Sequence, residues 1–136
     1  MSAELRRITY VEDEPDIRTI AEIALTKIGG YKLQVCESGT EAIARAPEFR
    51  PNLFLLDVMM PGVDGVETFK RLSRIPEMAK TPVIFMTAKV QRHETEHYRE
   101  LGAIGVIPKP FDPINLPIQI SEVWQSVSLG GETHAG

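Results

Sequence analysis

The sequence predicts an α/β domain built on a parallel sheet, and three observations carry that prediction. Short apolar runs rich in Val, Ile and Leu alternate with longer stretches whose apolar residues recur every three or four positions, the pattern of repeated strand–helix units. Three of the short runs are apolar without alternation, as expected of parallel strands covered by helices on both faces. A chain of 136 residues, 43% hydrophobic and 25% charged, is enough for one domain with a full core.

The strands are expected at Ile8–Val11, Leu33–Cys36, Leu53–Leu56, Val83–Met86 and Ile104–Ile107. The first helix is expected over Asp16–Ile28, with Ile17, Ile20, Ala21, Ala24, Leu25 and Ile28 on one stripe and Gly29 as a left-handed stop. Ser38 opens a second over Gly39–Ala46, which Pro47 follows. Gly65–Arg74, Gln91–Leu101 (ended by Gly102) and Ile114–Val127 complete five strands and five helices. Residues 1–127 then form the domain, and the tail Ser128–Gly136, with Gly130-Gly131 and no apolar periodicity, is expected to be disordered.

Composition narrows the function classes. With 15 Lys+Arg against 19 Asp+Glu, the chain lacks the electrostatic footprint for wrapping nucleic acid. A single cysteine, Cys36, permits neither an internal disulfide nor a Cys-pair zinc or redox motif, which fits a reducing cytoplasm. The apolar stretch after the N-terminal arginines, Ile8 to Val11, is too short for a signal peptide, and no run has the length of a bilayer span.

The position of the acids relative to the strand ends points to chemistry. Glu12 and Asp13 follow the first strand and Asp57 the third, so a parallel sheet with these strands adjacent gathers three carboxylates at its carboxyl edge, where ligands of open α/β sheets bind. Crowded carboxylates repel one another unless a cation sits among them. Magnesium suits the cluster: it takes a few carboxylate oxygens and leaves positions for water and phosphate oxygens, and nothing here supplies the soft ligands of zinc or copper. Taken singly, such acids are equally solvated loop residues. The fourth strand, however, ends at Thr87 followed by small Ala88, and the fifth near Lys109, adding a hydroxyl and an ammonium at the same edge. Together they make a phosphoryl-transfer constellation.

The chain resembles the receiver domains of bacterial two-component response regulators, of the single-domain type exemplified by the chemotaxis regulator. The resemblance covers roughly residues 5 to 127 and lies in Ile8-Thr-Tyr-Val-Glu-Asp-Glu, Leu55-Leu-Asp-Val-Met-Met-Pro-Gly-Val-Asp-Gly, Pro82-Val-Ile-Phe-Met-Thr-Ala, and Leu101-Gly-Ala followed by Lys109-Pro-Phe. It implies a flavodoxin-like doubly wound five-stranded sheet in the order 2-1-3-4-5, which places Pro108 on an edge strand that tolerates it. It further implies that Asp57 is a phosphoacceptor, served by a histidine kinase or a histidine phosphotransfer protein. Asp13, Asp57 and the Met59 backbone carbonyl would hold Mg²⁺, with Glu12 acting directly or through water. Lys109, aimed by a cis bond to Pro110, would neutralise phosphate oxygens, and Thr87 and Ala88 would contact the phosphoryl group. Output would pass by protein contact through the face of the fourth helix, fifth strand and fifth helix, with Thr87, Tyr98 and Val106 as switch residues and with His93 and His97 on the same surface.

Two departures from the family pattern bear on the switch. An aromatic is usual three positions before the lysine; here Val106, with one restricted χ1, cannot swing a ring between buried and exposed states. Met59 and Lys89 flank the path of the water that attacks the phosphoryl group, and neither is an amide or a carboxylate, so slow hydrolysis is expected. Two other functions compete. One is a partner-binding pseudo-receiver that is never phosphorylated, against which the full set of competent polar residues weighs. The other is a zinc peptidase through His93-Glu94-Thr95-Glu96-His97, which matches H-E-x-x-H with Glu122 as a conceivable third ligand but sits in a segment polar on every side.

Overall fold

Each strand is followed by a helix that must return to the start of the next parallel strand, so the helices cover both faces of the sheet. The computed structural model describes the backbone of residues 4–135 and the side chains of residues 4–127. In chain order the elements are β1 (Arg7–Val11), α1 (Pro15–Ile23, continued by a π turn over Ala24–Ile28), β2 (Lys32–Cys36), α2 (Gly39–Phe49), β3 (Leu53–Asp57), α3 (Gly65–Ser73), a 3₁₀ turn (Pro76–Met78), β4 (Val83–Thr87), α4 (Arg92–Glu100), β5 (Ala103–Pro108) and α5 (Leu116–Ala135). All pairings are parallel and the order is β2-β1-β3-β4-β5, as the sequence implies. No helix among the described residues is long and apolar enough to cross a membrane.

Alternation along the strands divides the core in two. Leu53 and Leu55 join Ile8, Tyr10, Ile84 and Met86 beneath Ala21, Ala24 and Leu25 of α1 and Leu116 and Ile120 of α5. Phe54 and Leu56 join Val11, Val83 and Phe85 beneath Ala42 and Ala46 of α2, Leu72 of α3 and Tyr98 of α4. β3, central and buried throughout, carries Asp57 as its last residue, so the acceptor candidate stands at the most rigid point of the carboxyl edge.

The structure corrects several sequence expectations. Ile20 and Ile28, placed on the buried stripe of α1, are 46% and 50% exposed. Small Ala21 and Ala24 bring the helix close to the sheet, which narrows the stripe, and the π turn rotates the residues after it. The same turn ends at Ile28 as expected, but its cap Gly29 stays right-handed: its N–H reaches back five residues to the Ala24 carbonyl at 2.9 Å and its φ is −81°, leaving Gly30, at φ 77°, as the left-handed residue. α2 continues through Pro47 to Phe49, where the Arg7 guanidinium, 4.2 Å above the Phe49 ring, bonds the Phe49 carbonyl. This tertiary anchor outweighs the one backbone donor that proline removes. α4 is polar but not on every side, since Tyr98 is buried. α5 runs to Ala135 through a stretch expected to be disordered; once packing has nucleated a helix, each further turn is inexpensive to add.

Gly65, the first residue of α3, positions the site. A Cβ there would lie 2.2 Å from the Asp57 carbonyl oxygen, so only glycine lets the helix start against the end of β3. Gly65→Ala should destabilise the fold by ~2 kcal/mol, read as a lowered denaturant midpoint at constant m. Gly30→Ala, in open space, should lose only ~1 kcal/mol from its positive φ.

Candidate phosphoryl-transfer site

Three loops leave the carboxyl edge with acids or a base attached. Adjacent β1 and β3 deliver Glu12, Asp13 and Asp57, which each place one carboxylate oxygen within 4.8 Å of the others. Glu12 and Asp57 are buried; Asp13 is half-buried. From the far edge, Lys109 reaches past the end of β4, and its Nζ donates to Glu12 Oε1 at 3.0 Å and to Asp57 Oδ1 at 3.2 Å. The Lys109–Pro110 bond is cis, and the Lys109 N–H bonds the Thr87 carbonyl at 3.0 Å, fixing the loop to β4.

One ammonium among three carboxylates leaves the cluster short of positive charge. Unit charges about 4 Å apart interact by ~4 kcal/mol near a protein surface, so the imbalance is large against a domain's net stability. Burial, which Asp57's charge reinforces, raises the Glu12 carboxyl from 4.5 to about 7, even though the Lys109 hydrogen bond pulls the other way. Burial also raises the Asp57 carboxyl from its ordinary value, against the charge of Lys109. Lys109 itself is raised: burial disfavours its charge, but the Glu12 hydrogen bond and the Asp57 charge outweigh that. Oxygen-only donors, gathered and short of cations, fit a hard divalent ion such as Mg²⁺.

The remaining candidates separate into edge and interior. Thr87 is buried, and its Oγ1 accepts the Lys89 N–H at 3.0 Å. Ala88 and Lys89 are exposed on the following loop, and Met59, 60% exposed, lies on the loop after β3. Tyr98 and Val106 are not at this edge. Tyr98, 7% exposed, packs its ring 5.5 Å from that of Phe85, and Val106 lies against the same cluster, so Tyr98 anchors α4 instead of presenting a surface. His93 and His97 are exposed, and Glu94 is spent on the helix start, where it accepts the Gln91 N–H at 3.2 Å. Among the described residues the only cluster of three or more metal-ligating side chains is the carboxylate one, so the H-E-x-x-H match with Glu122 builds no zinc site.

Sequence reasoning missed Arg18. From α1 its Nη1 donates to the carbonyls of Glu12 at 2.9 Å and Asp13 at 3.3 Å, and its Nη2 lies 3.9 Å from Glu37 Oε1, so one guanidinium ties the acid-bearing loop to the loop after β2. Both bonds end on backbone carbonyls, five and six positions back in the chain, so no side-chain motif announces them.

Residues 8–121 match the family described as the response regulator receiver domain. The phosphate regulon transcriptional regulatory protein PhoB of Pseudomonas aeruginosa is 34% identical over 125 residues, 92% of this chain and 54% of its own length. The transcriptional regulatory protein ResD of Bacillus subtilis is 34% identical over 90% of this chain and 49% of its own. The chain thus spans about half the length of the curated relatives it matches. Among solved structures, the Vibrio cholerae chemotaxis protein CheY4 superposes with a TM-score of 0.80 at 27% identity, over 88% of this chain and 99% of that one.

The raised Glu12 carboxyl sets the pH dependence of stability. The folded state keeps that proton up to about pH 7, whereas an unfolded glutamate loses it near 4.5, so stability falls as pH rises between the two values. The metal-free protein should therefore melt at lower temperature at pH 8 than at pH 5.5. Glu12→Gln should flatten that slope, and thermal scans across the range check both.

Proposed function

The chain belongs to the response regulator receiver domains, and from that membership and the geometry at Asp57 we propose that it is a phosphoacceptor switch. One observation carries the proposal: Lys109 bridges Asp57 and Glu12 inside a cluster of three carboxylates at the sheet's carboxyl edge. Asp57 attacks the phosphorus of a phosphohistidine on a sensor kinase or phosphotransfer protein. The new O–P bond forms as the P–N bond breaks, and the imidazole leaves with a proton. Asp13, Asp57 and the Met59 carbonyl would hold Mg²⁺, with Glu12 acting directly or through water. When bound, the ion supplies the positive charge that a trianionic group needs among carboxylates. Lys109 follows the charge to a phosphoryl oxygen, and the Thr87 hydroxyl, now accepting from Lys89, turns to donate to another.

The signal then travels in β4 and α4. Val106 cannot swing like an aromatic, so the loop after Thr87 and the fourth helix carry the change to partner proteins. No observation favours a pseudo-receiver. Hydrogen exchange with and without a phosphoryl mimic plus Mg²⁺ should change across Thr87–Leu101 and little across Ser38–Phe49; equal responses would count against this route.

Intact mass measured after treatment with a small phosphodonor and Mg²⁺ should rise by one phosphoryl group. Asp57→Asn or removal of Mg²⁺ should abolish the gain, and a full increment on the Asn variant would disprove the acceptor assignment. The acyl phosphate should be long-lived, since neither Met59 nor Lys89 orients a water. Met59→Asn or Lys89→Glu should speed its loss by up to about 100-fold, read in time courses of phosphoprotein decay.

A further inference from the structure

Tyr10 stands two residues before Glu12 on β1, in register between Val35 of β2 and Leu55 of β3. It is fully buried among Ile8, Leu55 and Ala21. Its hydroxyl is the one buried side-chain oxygen or nitrogen, among the described residues, with no hydrogen-bond partner. Phenylalanine would fill the same space without that burden, and a buried unpaired hydroxyl is costly. The charged groups that act on it are those of the acid cluster: Glu12 and then Asp57, with Arg18 opposing. Burial and the two carboxylates hold the phenol protonated far above its ordinary range, so it serves as a hydrogen-bond donor.

Glu12 has a complementary need. Its buried carboxylate has two donors, Lys109 Nζ on Oε1 and the Glu14 N–H on Oε2 at 3.2 Å. Lys109 is shared with Asp57, and once Asp57 carries a phosphoryl group the ammonium's strongest partner is a phosphoryl oxygen. Oε1 then loses its donor on a side chain with no exposed surface of its own. On the reading of Asp57 as acceptor, we propose that Tyr10 is a positioning residue of the acid cluster, whose O–H takes up the Glu12 carboxylate when Lys109 leaves it. The phenol holds Glu12 aimed at the metal side of the site. In the unphosphorylated chain the hydroxyl makes no hydrogen bond of good geometry, although the Glu12 carboxylate is close enough to act on its proton.

Ultraviolet difference spectroscopy of tyrosine tests this in the whole chain, with phosphorylation followed by intact mass in the same samples. In wild type, phosphoryl uptake with Mg²⁺ should produce a tyrosine difference signal. Tyr10→Phe should remove part of that signal and leave the part that Tyr98 contributes as α4 shifts. The variant should also take up phosphoryl groups about tenfold more slowly. Its melting temperature without metal should be unchanged or higher, because a residue that merely supports the core would lower stability and leave no phosphorylation-dependent spectrum. If the variant does not fold, the same difference spectrum taken on a chain carrying both Tyr31→Phe and Tyr98→Phe decides, since a signal that survives there comes from Tyr10. A wild type that gains the phosphoryl mass with a silent tyrosine spectrum, or a variant with unaltered uptake, overturns the role of Tyr10 and leaves Asp57 as acceptor. A wild type that gains no mass overturns both.

Discussion

The Lys109 ammonium holds together groups that would otherwise repel. It reaches Glu12 across 97 positions of sequence and Asp57 across 52, so the contact exists only when β1, β3, β4 and β5 are in order. The topology dictates its form: β1 and β3 are neighbours and bring the acids together, whereas β5 lies two strands from β3, and a side chain from its end must pass the end of β4. A long, flexible stem with a point charge suits that reach better than a planar guanidinium. The tie from the Lys109 N–H to Thr87 and the Arg18 clamp on the acid loop fix the two flanks of the bridge.

The fold was legible because its signals are local and repeated. Apolar runs such as Leu53–Leu56 can be read as buried parallel strands from their composition alone, and strand order followed once the motifs placed the chain in a family. The carboxylates and lysine were legible for a related reason, since a strand end is a position that sequence can locate. What sequence could not show depends on packing at the level of single side chains. The exposure of Ile20 follows from how closely two alanines draw α1 to the sheet. Tyr98 looked like surface because its neighbours on α4 are polar, yet one aromatic at the right phase suffices to anchor a helix. Arg18 acts through backbone carbonyls, which carry no sequence signature.

Uneven anchoring of the helices gives the switch a preferred direction. α2 buries Gly39, Ala42 and Ala46, and α3 buries Gly65, Thr68 and Leu72, whereas Tyr98 alone is buried on α4. With a single buried anchor, α4 can pivot about Tyr98 under a bias at Thr87, whereas α2 and α3 are each held at three buried positions. Phe85 couples the two ends: it lies on β4 two residues before Thr87, and its ring meets both Tyr98 and Phe69. A change at the end of β4 therefore has a packed route to α4 that needs no aromatic at Val106.

The same edge shows why the free protein is not at its stability optimum. Carboxyls raised by burial and mutual repulsion lower stability at neutral pH, and neutral replacements would relieve the strain. That strain is also what makes the site selective. A cluster already balanced by lysines would gain little from a divalent cation and would have no reason to rearrange when a phosphoryl group adds charge. With one ammonium shared between two buried acids, any new anion on Asp57 redistributes Lys109, and each group that depended on Lys109 must find another partner. The charge deficit at the end of β3 thus makes a local covalent event a structural one, and the rigid sheet beneath ensures that the adjustment appears in the loops and in α4.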